Sequence, residues 1–333
     1  MNIILKLLFI SLLFSLSLLA KEIKPAFILK SRGLVNDFVL DDFHLYTANN
    51  EGSVEIFDIR IQKKVDEILL PSHINVRGDD IPAKVLSVDR LGGKTLIVST
   101  DIDGYRDVWL HDGKKLKSLI NKDDKITVKE ARFINAEEFM YGTLGYDVTR
   151  HSTGDSSYRV YSDHIEESAF SDLAMSEDKK SMVTASESGR VTLIEVKTGK
   201  ILNSFESLNV DNIYKLDYKN GTIITAGQDR RVGVYPKVGK PYYLKSNFLV
   251  YSVGLSPSAK IGVYSANEHN DLQIFDVKSG EKMDILKGHD SVPSTIKFFN
   301  EDGFFSAGFG YHIYYWHLGH DKPKEYASPS LTK

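Results

Sequence analysis

The chain has 333 residues, no cysteine and a formal net charge of −3 at pH 7. That balance gives no electrostatic footprint for nucleic acid, and the missing thiols exclude disulfide staples, thiolate metal sites and cysteine chemistry. Aromatic residues at 11% and hydrophobic residues at 42% exclude a disordered chain.

Ile3 to Leu19 is almost wholly apolar, interrupted by Lys6 and three serines, and Ala20 ends the run before the polar Lys21-Glu22. A short charged lead, an apolar stretch of about 14 residues and a small residue at the cut predict a signal peptide over 1–20. Leu18 stands where a small residue is preferred, and a single membrane anchor is the alternative, for which the stretch is short. No cysteine follows the cut, so lipid attachment there is excluded. The expected mature chain is exported, periplasmic and soluble, without stable membrane insertion. It comprises one repeat domain over 21–320 and a flexible tail over 321–333, which contains Pro323 and Pro329.

Pro25 to Lys30 (PAFILK) is a short strand with no partner in its own neighbourhood. The first unit follows, from Val35 to about Leu70. Its strands are VNDFVL, HLYTANN, SVEIFDI and KKVDEILL, and Asn50-Glu51-Gly52 makes the middle turn. Thr47, Glu51 and Phe57 set a formula within it: a hydroxyl residue, an acid four positions on, an aromatic ten positions on. A polar loop, Ser72 to Asp80, carries His73 and Arg77. It reads as a candidate contact site or as a solvated connector.

The second unit, Ala83 to Ile120, repeats the formula with Ser99, Asp103 and Trp109. Its turn, Asp101-Ile102-Asp103-Gly104-Tyr105-Arg106-Asp107, invites a calcium reading. An Asp-Gly pair between two strands is equally ordinary hairpin chemistry. The third unit, about Ile126 to Ile165, breaks the formula. EFMYGTLG and SSYRVYSD read as strands, with YDVTRHSTGD between them. Tyr146, Asp147, Arg150, His151 and Asp155 gather near this irregular stretch, which is either specialised or drifted.

The fourth unit, Ser168 to Phe205, has Thr184, Ser188 and Ile194 in register. The fifth, Ile213 to Leu244, has Thr225, Asp229 and Tyr235, and Arg230-Arg231 at its turn offers charge to an anionic partner. The sixth, Leu249 to Leu286, has Ser265, His269 and Phe275. The seventh, from Ser291, has Ser306, Gly310 and Trp316. Its many aromatic residues, from Phe298 to Trp316, are expected mostly to fill space between units, with one or two exposed.

The anchors 57, 109, 194, 235, 275 and 316 are separated by 52, 85, 41, 40 and 41 residues, and the gap of 85 spans two units. Seven units of about 40 to 50 residues predict an all-β, seven-bladed β-propeller. The last unit lacks its outer strand, so PAFILK is expected to complete it and close the ring.

Lys287-Gly288-His289-Asp290 resembles the Gly-His signature that opens a blade in the WD40 family, and Gly227 to Tyr235 resembles that family's strand–turn–strand ending. The resemblance implies a buried hydrogen-bonded set, matched in part by His289, Ser306 and Trp316 and in part by Thr225 and Asp229. Gly310 replaces the acid of the first group. Leader, length and GHDSVPSTIKFF also resemble NapL-type accessory proteins of periplasmic nitrate reductase systems. That resemblance implies a role in maturation of the enzyme or in electron transfer to it.

No G-x-S-x-G elbow, P-loop, dinucleotide fingerprint or haem-attachment motif is present. His312 and His317, five apart on a strand, point to opposite faces. No catalytic, cofactor-binding or metal residue is therefore assigned, and no cofactor is expected. The expected function is a non-catalytic platform for protein partners, with Arg77, Arg150, Arg230 and Arg231 as contact candidates. The alternatives are a propeller hydrolase or lactonase, with Asp101, Asp103 and Asp107 gathered at the central opening, and an envelope-assembly scaffold.

Overall fold

The computed structural model describes residues 22–154 and 159–319. The predicted leader, the tail over 321–333 and Asp155 lie outside these residues.

Seven antiparallel sheets, each a meander of four strands, form the seven blades of a propeller. We letter the strands a to d from the axis outward. The a strands are Val35–Asp41, Val85–Leu91, Val128–Asn135, Phe170–Met175, Ile213–Lys219, Val253–Leu255 and Pro293–Asn300. Each packs against the a strand of the next blade, and that of blade 7 meets that of blade 1, so the ring is closed.

Blade 7 takes its d strand from the start of the chain. Phe27–Lys30 lies antiparallel to His312–His317, with Phe27 opposite Tyr315 and Lys30 opposite His312. The chain start also reaches one blade further back. Glu22–Ile23 runs parallel to Lys282–Leu286 as a fifth strand of blade 6, and Glu22 pairs with Lys287.

The hydrophobic core is divided into seven clusters, one at each junction between neighbouring blades. At the closing junction Leu29, Phe305, Ile313 and Tyr315 of blade 7 meet Val35, Phe38 and Phe57 of blade 1. Inner strands are covered on both faces, which is why SVEIFD and GFFSAG are buried throughout and read as runs rather than alternations. The d strands face water, as in KKVDEIL and ILNSF, and leave Val65, Leu69, Ile201 and Leu202 exposed. In blade 7, Phe304, Phe305, Tyr314, Tyr315 and Trp316 are buried between sheets, while Phe309 and Tyr311 in the b–c turn are exposed.

Blade 3 is more regular than its sequence suggests. The stretch expected to separate two strands contains a strand itself, Asp147–Ser152, paired on both sides. Thr143 and Asp147 touch across the turn, with Thr143 Oγ1 donating to Asp147 Oδ2 at 3.3 Å. The strand register places Tyr141, Gly145 and His151 where the other blades carry the hydroxyl, acid and aromatic positions of the formula. Tyr146, Arg150 and His151 do not form a cluster, because strand alternation and the preceding turn send them to different neighbours. Tyr146 Oη reaches Thr184 of blade 4 at 2.8 Å.

Leu29→Ala in the closing strand should cost about 2–5 kcal/mol, whereas Ile28→Ala, half-exposed beside it, should change stability by less than about 0.5 kcal/mol. Chemical denaturation of the two variants checks this. Equal losses would show that the strand contributes no buried wedge.

Candidate functional site

The meander fixes which segments share a face. In every blade the a–b and c–d turns lie at one end of the sheet. The b–c turns and the connections between blades lie at the other, which we call the loop face.

The inner strands carry a repeated device that the spacing formula does not reveal. Six of the seven a strands hold a β-bulge near their start, at Asn36, Leu86, Lys129, Ser171, Tyr214 and Ser294. One or three residues later, on one strand face, comes a charged side chain: Asp37, Asp89, Glu130, Asp172, Asp217 or Lys297. The five carboxylates each accept a backbone N–H from the next blade. Asp37 takes Val88 at 3.2 Å, Asp89 takes Phe133 at 2.7 Å, Glu130 takes Leu173 at 3.3 Å, Asp172 takes Leu216 at 2.8 Å and Asp217 takes Leu255 at 2.8 Å. Lys297 of blade 7 instead donates to Asp37 and to the Phe38 carbonyl of blade 1. Bulge residues add a second set: Asn36 donates to the Val85 carbonyl at 2.7 Å and Lys129 to the Phe170 carbonyl at 2.9 Å.

These side chains line an axial cavity of about 270 Å³. Arg132 bridges Asp37 (3.2 Å) and Glu130, and Lys215 pairs with Asp172 at 2.9 Å. Burial alone would raise Asp37, but Lys297, Arg132 and Lys215 together hold it well below the usual carboxylate range. Glu130 behaves oppositely. Its burial outweighs the attraction of Arg132, the charge of Asp172 adds to the effect, and it is pushed up to about 7. Asp101, Asp103 and Asp107 do not line this cavity. The expectation that they gather at the central opening is not met, because the b–c turn carries them to the loop face.

On the loop face the sequence-derived residues form three different partial sets. In blade 7, Trp316 Nε1 donates to Ser306 Oγ at 2.7 Å, and His289 Nε2 lies 2.7 Å from the same oxygen. His289 Nδ1 is buried without a partner, since Gly310 stands where an acid would be. Burial pushes this imidazole down to about 3, so the ring is neutral. In blade 5, Thr225 donates to Asn209 Oδ1 at 2.5 Å and Asn209 Nδ2 donates to Asp229 Oδ1 at 3.1 Å. Asn209 thus fills the histidine's place. Gly233 makes room for it, because a Cβ there would come within 2.4 Å of Thr225 Oγ1. In blade 2, Trp109 donates to Ser99 at 3.1 Å and His73 lies 3.3 Å from Asp101. The predicted loop supplies this histidine through a small ribbon in which His73–Ile74 pairs with Asp80–Ile81.

The four arginine candidates divide. Arg77 and Arg230 are exposed on the loop face. Arg150 is committed, with Nε and Nη2 on the Glu138 carboxylate at 3.0 and 2.7 Å and Nη1 on the Lys197 carbonyl of blade 4. Arg231 bonds the Leu208 carbonyl at 3.1 Å and stacks over Tyr243.

Exposed apolar side chains are shared between the outer strands, with Ile28, Val65, Leu69, Ile201, Leu202, Tyr243 and Met283, and the loop face, with fewer on the opposite face. Ile74, Val76, Ile81, Leu144, Val210, Phe309 and Tyr311 lie on the loop face, against Phe43, Ile61 and Val238 in the turns of the opposite face. Tyr214 and Tyr251 stack beside the former at 5.2 Å.

The β-propeller domain of Cps50 (Swd1) from Myceliophteria thermophila is similar in structure, with a TM-score of 0.69 over 89% of this chain and 99% of that one, at 15% identity. The chain has the fold of a seven-bladed β-propeller. Likeness extends to 1853 solved chains, so it speaks for an architecture and for no particular partner. The chain matches no protein-family model and no curated protein.

Ser306→Ala should cost about 1–3 kcal/mol, because it strips the buried Trp316 N–H of its acceptor; a thermal melt equal to the wild type would show that the set contributes nothing. Burial pushes Glu130 up to about 7 in the folded chain, from an ordinary value of 4.5. Its contribution is therefore fully present below about 4.5 and lost as pH rises through about 7. Glu130→Gln should flatten the fall in stability between pH 5 and pH 8, read from denaturation curves at each pH. Parallel profiles would contradict the raised titration.

Proposed function

We propose that this propeller is a non-catalytic docking platform that holds a folded protein partner on its loop face. The observation that carries the reading is the contrast between the two ends of the ring: seven exposed apolar or aromatic side chains, Phe309 and Tyr311 among them, lie on the loop face and three on the opposite face. The axial carboxylates fit this reading better than hydrolysis. Each already accepts a backbone N–H, and three of them face lysine or arginine, so they are engaged in joining one blade to the next.

Within this reading the chain is an exported accessory factor for a periplasmic nitrate reductase, acting in its maturation or its electron transfer. Support for export is the leader pattern over 1–20. Among the described residues no helix is long and apolar enough to cross a membrane. Support for the nitrate role is the sequence likeness alone.

The test is retention of purified periplasmic nitrate reductase, with its electron donor, on the immobilised chain. Retention is expected, and Phe309→Ala with Tyr311→Ala, or Arg230→Glu, should lower it about 10-fold. Binding of outer-membrane assembly proteins instead would favour a scaffold role. Unaffected binding by the loop-face variants would move the interface elsewhere, and hydrolytic turnover of a lactone would overturn the platform.

A further inference from the structure

His73, Asp101 and Asp107 come from three separate elements: the ribbon of the 72–80 loop, the start of the b–c turn of blade 2, and its c strand. One ligand atom from each lies within 4.8 Å of the others. His73 Nε2 is 2.9 Å from the Thr100 carbonyl. A carbonyl only accepts, so Nε2 carries the hydrogen and a neutral ring presents its Nδ1 lone pair. That lone pair faces Asp101 Oδ1 at 3.3 Å, an acceptor against an acceptor.

Asp107 sharpens the conflict. It is 3% exposed, and its carboxyl faces that of Asp101. Among the described residues no N–H donates to it. The charge of Lys122 is felt there without a hydrogen bond. The donor on the pair is the Ile102 N–H, which binds Asp101 Oδ1 at 2.6 Å. With the ring neutral, three acceptors converge on one space, partly buried at His73 and Asp101 and closed at Asp107, which is costly unless a positive charge sits between them.

We propose that His73, Asp101 and Asp107 bind a divalent cation of the zinc class, with the rest of the coordination shell open to water or to a partner's side chain. One imidazole and two carboxylates match that class. The Thr100 carbonyl orients the imidazole as outer-shell partners of ligating histidines do. Calcium fits poorly, since it takes six to eight oxygens and Asp103 lies outside the group. The cation ties the 72–80 loop to blade 2, and the assignment stands independently of the docking reading.

The purified chain is stripped with chelator and titrated calorimetrically with zinc chloride, with manganese and calcium chlorides as comparators. One saturable zinc site is expected, with calcium at least about 10-fold weaker and the melting midpoint raised by zinc. Asp107→Asn removes the acid–acid conflict at nearly constant shape. Its metal-free form should melt at or above the wild type, while its zinc affinity falls about 10-fold or more. His73→Ala should lose zinc similarly, and Asp103→Asn should bind it as the wild type does. If His73→Ala does not fold, Asp107→Asn decides alone. Absence of a saturable zinc site, unchanged zinc affinity in Asp107→Asn, or calcium binding as tight as zinc overturns the assignment.

Discussion

A propeller closes only if the backbone at its axis is satisfied. The a strand is the edge of its sheet, and its outward N–H groups face a neighbouring blade that is too oblique to form a ladder with it. In this chain a carboxylate spans that gap at five consecutive junctions, from Asp37 to Asp217. Hydrogen bonds to charged groups are among the stronger ones, but they gather negative charge at the axis. Arg132, Lys215 and Lys297 follow as the counter-charges. The polar character of the channel is thus a consequence of ring geometry, and it needs no ligand to explain it.

That separation of duties organises the molecule. Apolar wedges between blades supply most of the cohesion, and the axial ion pairs fix how one blade sits on the next. The loop face is left free of both tasks. Its hairpins can lose a tryptophan in blade 5, an acid in blade 7 or the hydroxyl and acid of blade 3 without changing the path of the sheets. The three partial hydrogen-bonded sets of blades 2, 5 and 7 show this tolerance side by side. Variation of this kind leaves room for contact chemistry on a frame that does not move.

The fold was legible because strand, tight turn and strand leave a local trace. The hydroxyl–acid–aromatic formula marks the b–c hairpin of a blade, and hairpins are encoded by neighbours in sequence. The missing d strand of blade 7 was legible by counting. The axial carboxylates were not, because their partners lie a whole blade away and their position is set by a bulge. Asp37, Glu130 and Asp172 follow the bulge by one residue, Asp89 and Asp217 by three, so no single spacing reveals them. Blade 3 hides its regularity for a related reason: Tyr141, Gly145 and His151 occupy the three positions of the formula, so the strand pairing is kept while the residue types are not. His73 and the Asp101–Asp107 turn were each visible alone. Their meeting depends on a loop folding back across a blade, which spacing does not encode.

The N-terminal strand joins the two ends of the chain, Lys30 beside His312. A ring latched in this way cannot be completed while the polypeptide is still emerging, from a ribosome or across a membrane. Until blade 7 arrives, Phe27–Lys30 has no partner strand, and blades 1 and 6 each keep an open flank. Blades 1 to 6 therefore wait as an unfinished arc, and the interval before latching is when the molecule is most exposed to aggregation or to a chaperone's grip.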